Sequence, residues 1–124
     1  MDEDDKWVFL LELKAFPGED PETTRMVMVN LIEDGDRGDI EPVRDTVSGE
    51  LCCLVGKEDE TDNYERRHIA KVWQYDEDNR FNDKFPMYRQ VSLADFVRCL
   101  LDANLMFDGF TGAEVVRLKQ IYGV

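Results

Sequence analysis

Carboxylates dominate the residues of this chain that could do chemistry. Glu33, Asp34, Asp36, Asp39 and Glu41 lie between two apolar segments, and Glu58, Asp59, Glu60 and Asp62 lie between the next two. Such series can bind hard cations, work as general acids and bases, or present spaced negative charge to a basic partner. The first two uses need a particular geometry. Asp34-Gly35-Asp36 and Asp76-Glu77-Asp78-Asn79 offer hard oxygen ligands, but both lack the mid-loop glycine and closing glutamate of an EF-hand loop. No metal is assigned to either. Glu12-Leu13-Lys14 has the E-x-K form of many metal-dependent nucleases, yet only a short acidic segment precedes it, so the upstream aspartate of a separate strand is missing.

Nucleophilic chemistry fares no better. The one histidine, His68, follows Arg66 and Arg67, which disfavour an imidazolium, and no partner stands near it in sequence. Cys52 and Cys53 sit between Leu51 and Leu54, and Cys99 precedes Leu100, so all three read as small buried hydrophobes. Neighbouring cysteines on a strand point to opposite faces, and no C-x-x-C occurs, which argues against zinc. Arg37-Gly38-Asp39 spells an adhesion tripeptide in a chain with no other extracellular feature. The expectation is a non-enzymatic protein with no catalytic residue, no metal and no cofactor.

The charge is unevenly placed. The 124 residues carry 28 Asp and Glu against 15 Lys and Arg, a formal net of -13. Residues 1–65 hold a net of -14 and residues 66–124 a net of +1. That imbalance argues against nucleic acid as a direct ligand and for a basic partner. Halophilic adaptation would spread acid over the whole surface instead. The start, Met1-Asp2-Glu3-Asp4-Asp5, is the opposite of a basic leader. No apolar run approaches a membrane span of about 18 residues, and no N-x-[ST] acceptor occurs. With an odd cysteine count these features predict a cytoplasmic protein without a membrane partner.

The positioning elements follow from periodicity. Lys6–Phe16 reads as a strand, with Trp7, Phe9, Leu11 and Leu13 on one face. Pro17-Gly18-Glu19-Asp20-Pro21 breaks it, and Arg25–Glu33 returns as a hairpin partner. Residues 33–49 form a long acidic connection, anchored by Ile40, Val43 and Val47 and holding one helical turn after Pro42. Glu50–Gly56 is a buried strand, 57–66 a second acidic loop, and Arg67–Tyr75 a fourth strand. In that strand Ile69, Lys71, Trp73 and Tyr75 alternate against His68, Ala70, Val72 and Gln74. Asp76–Tyr88 is a loop. Ser92 with Asp95, and Thr111 with Glu114, open two helices, and Gly123 closes the second. Trp7 and Trp73 are expected in the core.

The fold class is therefore α+β: an antiparallel sheet of about four strands, followed by two C-terminal helices packed on one face. One domain covers 1–124, with an acidic tail at 1–5, strands and acidic loops through 6–75, and helices within 92–124. The expected function is that of a small binding protein that blocks a basic surface, such as that of a nuclease or another nucleic-acid-binding protein. A phage or plasmid anti-defence inhibitor acting by partial nucleic-acid mimicry is the leading form. An immunity protein for a cognate toxin is the alternative, and a structural or adaptor subunit a further one. Glu33, Asp34, Asp36, Asp39, Glu41, Glu58, Asp59, Glu60 and Asp62 would carry the attraction. Phe81 and Tyr88, aromatics beside Arg80, Lys84 and Arg89, would add short-range specificity.

Overall fold

A computed structural model describes residues 6–15, 18–22, 25–33, 40–42, 51–56, 64–80, 84–107 and 110–124. Within them, strands β1 (Val8–Leu13), β2 (Arg25–Asn30), β3 (Ile40–Pro42), β4 (Leu51–Gly56), β5 (Tyr64–Tyr75) and β6 (Tyr88–Val91) precede helices α1 (Leu93–Phe107) and α2 (Gly112–Tyr122). All strand pairs are antiparallel. The order is β2-β1-β5-β4-β3, with β6 also paired to β5.

The hairpin forms as its alternation requires. Trp7, Phe9, Leu11 and Leu13 are all buried, and Phe9 lies opposite Val29 in the β1–β2 register. Gly18 takes φ 97°, a left-handed conformation that suits glycine in the link. The side chain of Asp20 accepts from the Glu22 N–H at 3.0 Å, so this acid holds the turn.

β5 is the spine of the sheet. Residues 64–68 pair with β4, while Ile69–Gln74 pair with β1 and Val72–Tyr75 with β6. Between Glu12↔Lys71 and Leu13↔Ile69 the register slips by one residue, leaving Ala70 as the extra residue of a bulge. The bulge corrects the expected faces of this strand. Ile69 and Val72, three apart, both join the core, and Trp73 turns to the opposite face beside Leu10. Strict alternation cannot foresee this, because one inserted residue inverts every face beyond it.

Two short strands were also not foreseen. Tyr88–Val91 extends the sheet where no element was assigned beyond the expected loop, and that loop ends a residue early, before Tyr88. Ile40–Pro42 pairs with β4, and Ile40 is buried as its anchoring role requires. Val43, Val47 and the helical turn expected after Pro42 lie outside the described residues.

Both helices start where their caps predict. The Ser92 hydroxyl accepts from the Asp95 N–H at 3.1 Å. Thr111 and Glu114 form a full capping box, and Gly123 closes α2 with φ 68°. The helices pack on one face of the sheet. Phe96, Val97, Leu100, Ala103 and Leu118 join Phe9, Leu11, Leu13, Val29 and Leu51 in a single cluster. The Phe9 and Phe96 rings meet edge to face, with centroids 4.9 Å apart. Tyr122 ties α2 down by accepting the Leu51 N–H at 2.8 Å.

Candidate interaction surface

The acidic series sit at connections, and the strand directions decide where those connections leave the sheet. β2 ends at Asn30, across from Val8, whereas β4 ends at Gly56, across from Tyr64 beyond the far end of β1. The connection that begins at Glu33 thus leaves the sheet at the end opposite to the one that begins after Gly56. It re-enters at Ile40, opposite Cys53 on β4. Its Ile40 end and the 57–63 connection therefore adjoin the same end of the β3–β4 ribbon. Glu33 is exposed. Asp34, Asp36, Asp39, Glu58, Asp59, Glu60, Asp62 and Phe81 lie outside the described residues. Glu41 lies on the β3 backbone, and its side chain falls outside them as well.

Tyr88 is placed. It is half-buried on β6 and meets Tyr75 edge to face at 5.6 Å. Burial, and then the neighbouring Tyr75, pushes its hydroxyl above the ordinary tyrosine range. Its carbonyl accepts from the Asn79 side chain.

The face away from the helices carries a second cluster that the sequence did not disclose. The β5–β6 connection folds back over it. Phe85 meets Trp73 at 4.8 Å, and the Lys84 ammonium stands 5.2 Å from the Trp73 ring and 3.5 Å from the Glu12 carboxylate. Trp73 is thus buried, but under this connection instead of under a helix. Glu12 is only 7% exposed. The E-x-K pair is split: Glu12 is covered by Lys84, while Lys14 is exposed. Met87 adopts φ 70°, a left-handed conformation unusual for a side chain with a Cβ, at the point where this connection enters β6. In the Asp76–Asn79 turn the carboxylate of Asp76 is engaged by its surroundings. Asp76 accepts the Asp78 N–H at 3.1 Å and lies 3.6 Å from Arg89. Among the described residues, no three His, Cys, Asp or Glu side chains gather as a metal would require.

Arg67 is the functional-looking residue that motif reasoning passed over. It lies opposite Cys53 and two residues from Ile69, hence on the helix-side face, and is 8% exposed. Its guanidinium donates to Glu19 at 2.9 Å, to Glu65 at 3.1 and 3.2 Å, and to the Lys14 carbonyl at 3.2 Å. Those bonds fasten the β1–β2 link onto β5. The available signal was parity: an arginine in phase with Ile69 is a charge aimed at the core, and it needs acids. His68, beside it, faces the opposite way across from Cys52, and its carbonyl accepts from the Lys14 N–H at 2.9 Å.

The cysteines are chemically quiet. Cys52 and Cys53 are buried thiols. Burial first, then Asp102 and Asp95, pushes the Cys99 thiol up and keeps it protonated.

A groove of about 490 Å³ runs between the C-terminal half of α1 and the length of α2, lined by Leu101, Leu105, Phe110, Val115 and Val124 with Arg98 and Lys119 among its polar neighbours. Leu105 is 86% exposed. Among the described residues, no helix is long and apolar enough to cross a membrane. No family model, no curated protein and no solved structure matches this chain.

Proposed function

We propose that this protein binds and blocks a basic protein surface, through the acids carried on the connections of its N-terminal half. The observation that supports it is the partition of charge: a net of -14 over residues 1–65 against +1 over residues 66–124. Among the described acids of that half, Glu22 and Glu33 are exposed. Glu12 and Glu65 are taken up by Lys84 and Arg67, and Glu19 joins Arg67. Glu33, Asp34, Asp36, Asp39, Glu41, Glu58, Asp59, Glu60 and Asp62 supply the long-range attraction. Tyr88, with Phe81, supplies specificity at contact. A groove evolved for nucleic acid has the complementary charge, so the partner is a nuclease or another nucleic-acid-binding protein, and the protein acts as an anti-defence inhibitor by partial nucleic-acid mimicry.

The test is affinity against salt for the partner captured from the source cell at low ionic strength. Screening should weaken binding about tenfold or more between about 50 and 500 mM salt. Neutralising Glu58, Asp59, Glu60 and Asp62 together to Gln and Asn should mimic that loss. The same change at Asp95 and Asp102 on α1 should leave affinity unaltered. A flat salt response sinks the proposal.

A second function has its own supporting observation, the exposed Leu105 beside an apolar groove. A subunit of a larger assembly would bury that residue. Recovery of the protein from cells in a stable high-mass complex that Leu105→Glu disperses would favour this second role.

A further inference from the structure

Three strands have a single partner among the described residues: β2, β3 and β6. Two of them are blunted. β3 is three residues long and contains Pro42, which cannot donate to a further strand, and β6 is four residues long with a charged Arg89. β2 has neither protection. Its six residues, Arg-Met-Val-Met-Val-Asn, hold no proline and one charge, at the first position.

The ladder shows which groups that edge offers. The Leu31 N–H donates to the Trp7 carbonyl at 3.0 Å. Odd-numbered residues of β2 therefore turn their backbone groups toward β1, and Met26 and Met28 turn theirs outward. The side chains of Met26 and Met28 lie opposite Glu12 and Leu10, on the face away from the helices, and Met28 is 65% exposed.

We propose that β2 is a dimerisation edge, at which two copies of this chain pair β2 to β2, antiparallel about a two-fold axis, into one continuous sheet. The edge is its own complement: each copy offers the same donors and acceptors at Met26 and Met28. The ends complement one another too. Antiparallel pairing carries the Arg25 end of one strand toward the Asn30–Glu33 end of the other, so each end of the ladder holds charges of opposite sign. A parallel arrangement would set Arg25 against Arg25. The two-fold axis stands perpendicular to the sheet, so both helical layers fall on one side and the Met28 side chains meet on the other.

Sedimentation equilibrium of the full chain, with amide exchange on the same samples, tests this. Wild type should dimerise, and more tightly as salt rises, because the copies carry a net of -13 each. Binding of a basic partner has the opposite salt dependence, so failure of this proposal and failure of the proposed function are separable. Met28→Pro deletes an outward N–H and leaves the β1 ladder intact, and should weaken dimerisation at least about tenfold. Met28→Thr keeps the N–H and should dimerise far more tightly than Met28→Pro. In wild type the Met26 and Met28 amides should gain exchange protection as concentration rises. A wild-type monomer at every concentration overturns the proposal, as does a Met28→Pro dimer of unchanged affinity. If Met28→Pro fails to fold, the concentration dependence of the two amides decides, and exchange that ignores concentration overturns it.

Discussion

The two faces of the sheet are held by different physics. On the helix side, aromatic and aliphatic groups meet without polar atoms, as with Phe9 on Phe96. On the opposite side a lysine stem, an indole and a buried carboxylate meet, as with Lys84 over Trp73 and beside Glu12. The first is non-directional burial, large and insensitive to salt. The second joins an ammonium that stays in water to a carboxylate buried beneath it. Arg67 marks the boundary, a charge on the helix-side face where the apolar cluster stops.

The largest break in this contrast should come from Phe96→Ala. It leaves a cavity under Phe9 and should cost about 3–5 kcal/mol in chemical denaturation. Arg67→Ala should come next, at about 1–3 kcal/mol, less than a fully buried pair because Glu19 and Glu65 are only partly covered. Arg67→Met keeps the stem and should recover part of that loss. Tyr122→Phe, which strands the Leu51 N–H, should cost about 1–2 kcal/mol. Lys84→Ala on the far face should cost under about 1 kcal/mol, since the lysine is more than half exposed, and the effect should shrink with salt.

Alkaline pH sharpens the contrast from another side. The folded Cys99 thiol titrates above its unfolded value, so its contribution is fully present below the unfolded value and is lost as pH rises through the folded one. Stability should begin to fall above the ordinary thiol range of about 8.5–9. Cys99→Ala should remove that first step in thermal melts. Tyr88, raised in the same direction, should leave a second fall at higher pH.

The elements that followed simple periods were legible beforehand. Trp7, Phe9, Leu11 and Leu13 keep strict alternation, and Ser92, Thr111 and Gly123 cap their helices by local bonds that need no tertiary context. What escaped depended on partners. Ile40–Pro42 and Tyr88–Val91 are too short to show a period, and they exist because β4 and β5 offer them edges. The bulge at Ala70 moved Trp73 to the other face, a shift invisible without knowing the register against β1. Of the candidate interaction residues, Tyr88 and Glu33 have described side chains. The attraction ascribed to the acidic connections rests on composition and on the strand ends that bracket them.

The placement of β5 between β1 and both β4 and β6 sets the order in which this chain can assemble. β1 and β2 can close as a hairpin once about 30 residues have left the ribosome, but the second edge of β1 must wait for Ile69–Gln74. Until then the nascent hairpin shows Phe9, Leu11 and Leu13 to water along with an open row of amides. The helices that cover those side chains come last. Folding of this protein is therefore governed by a late, long-range event, and slowing translation before residue 75 should lengthen the time in which the hairpin can pair with the wrong chain.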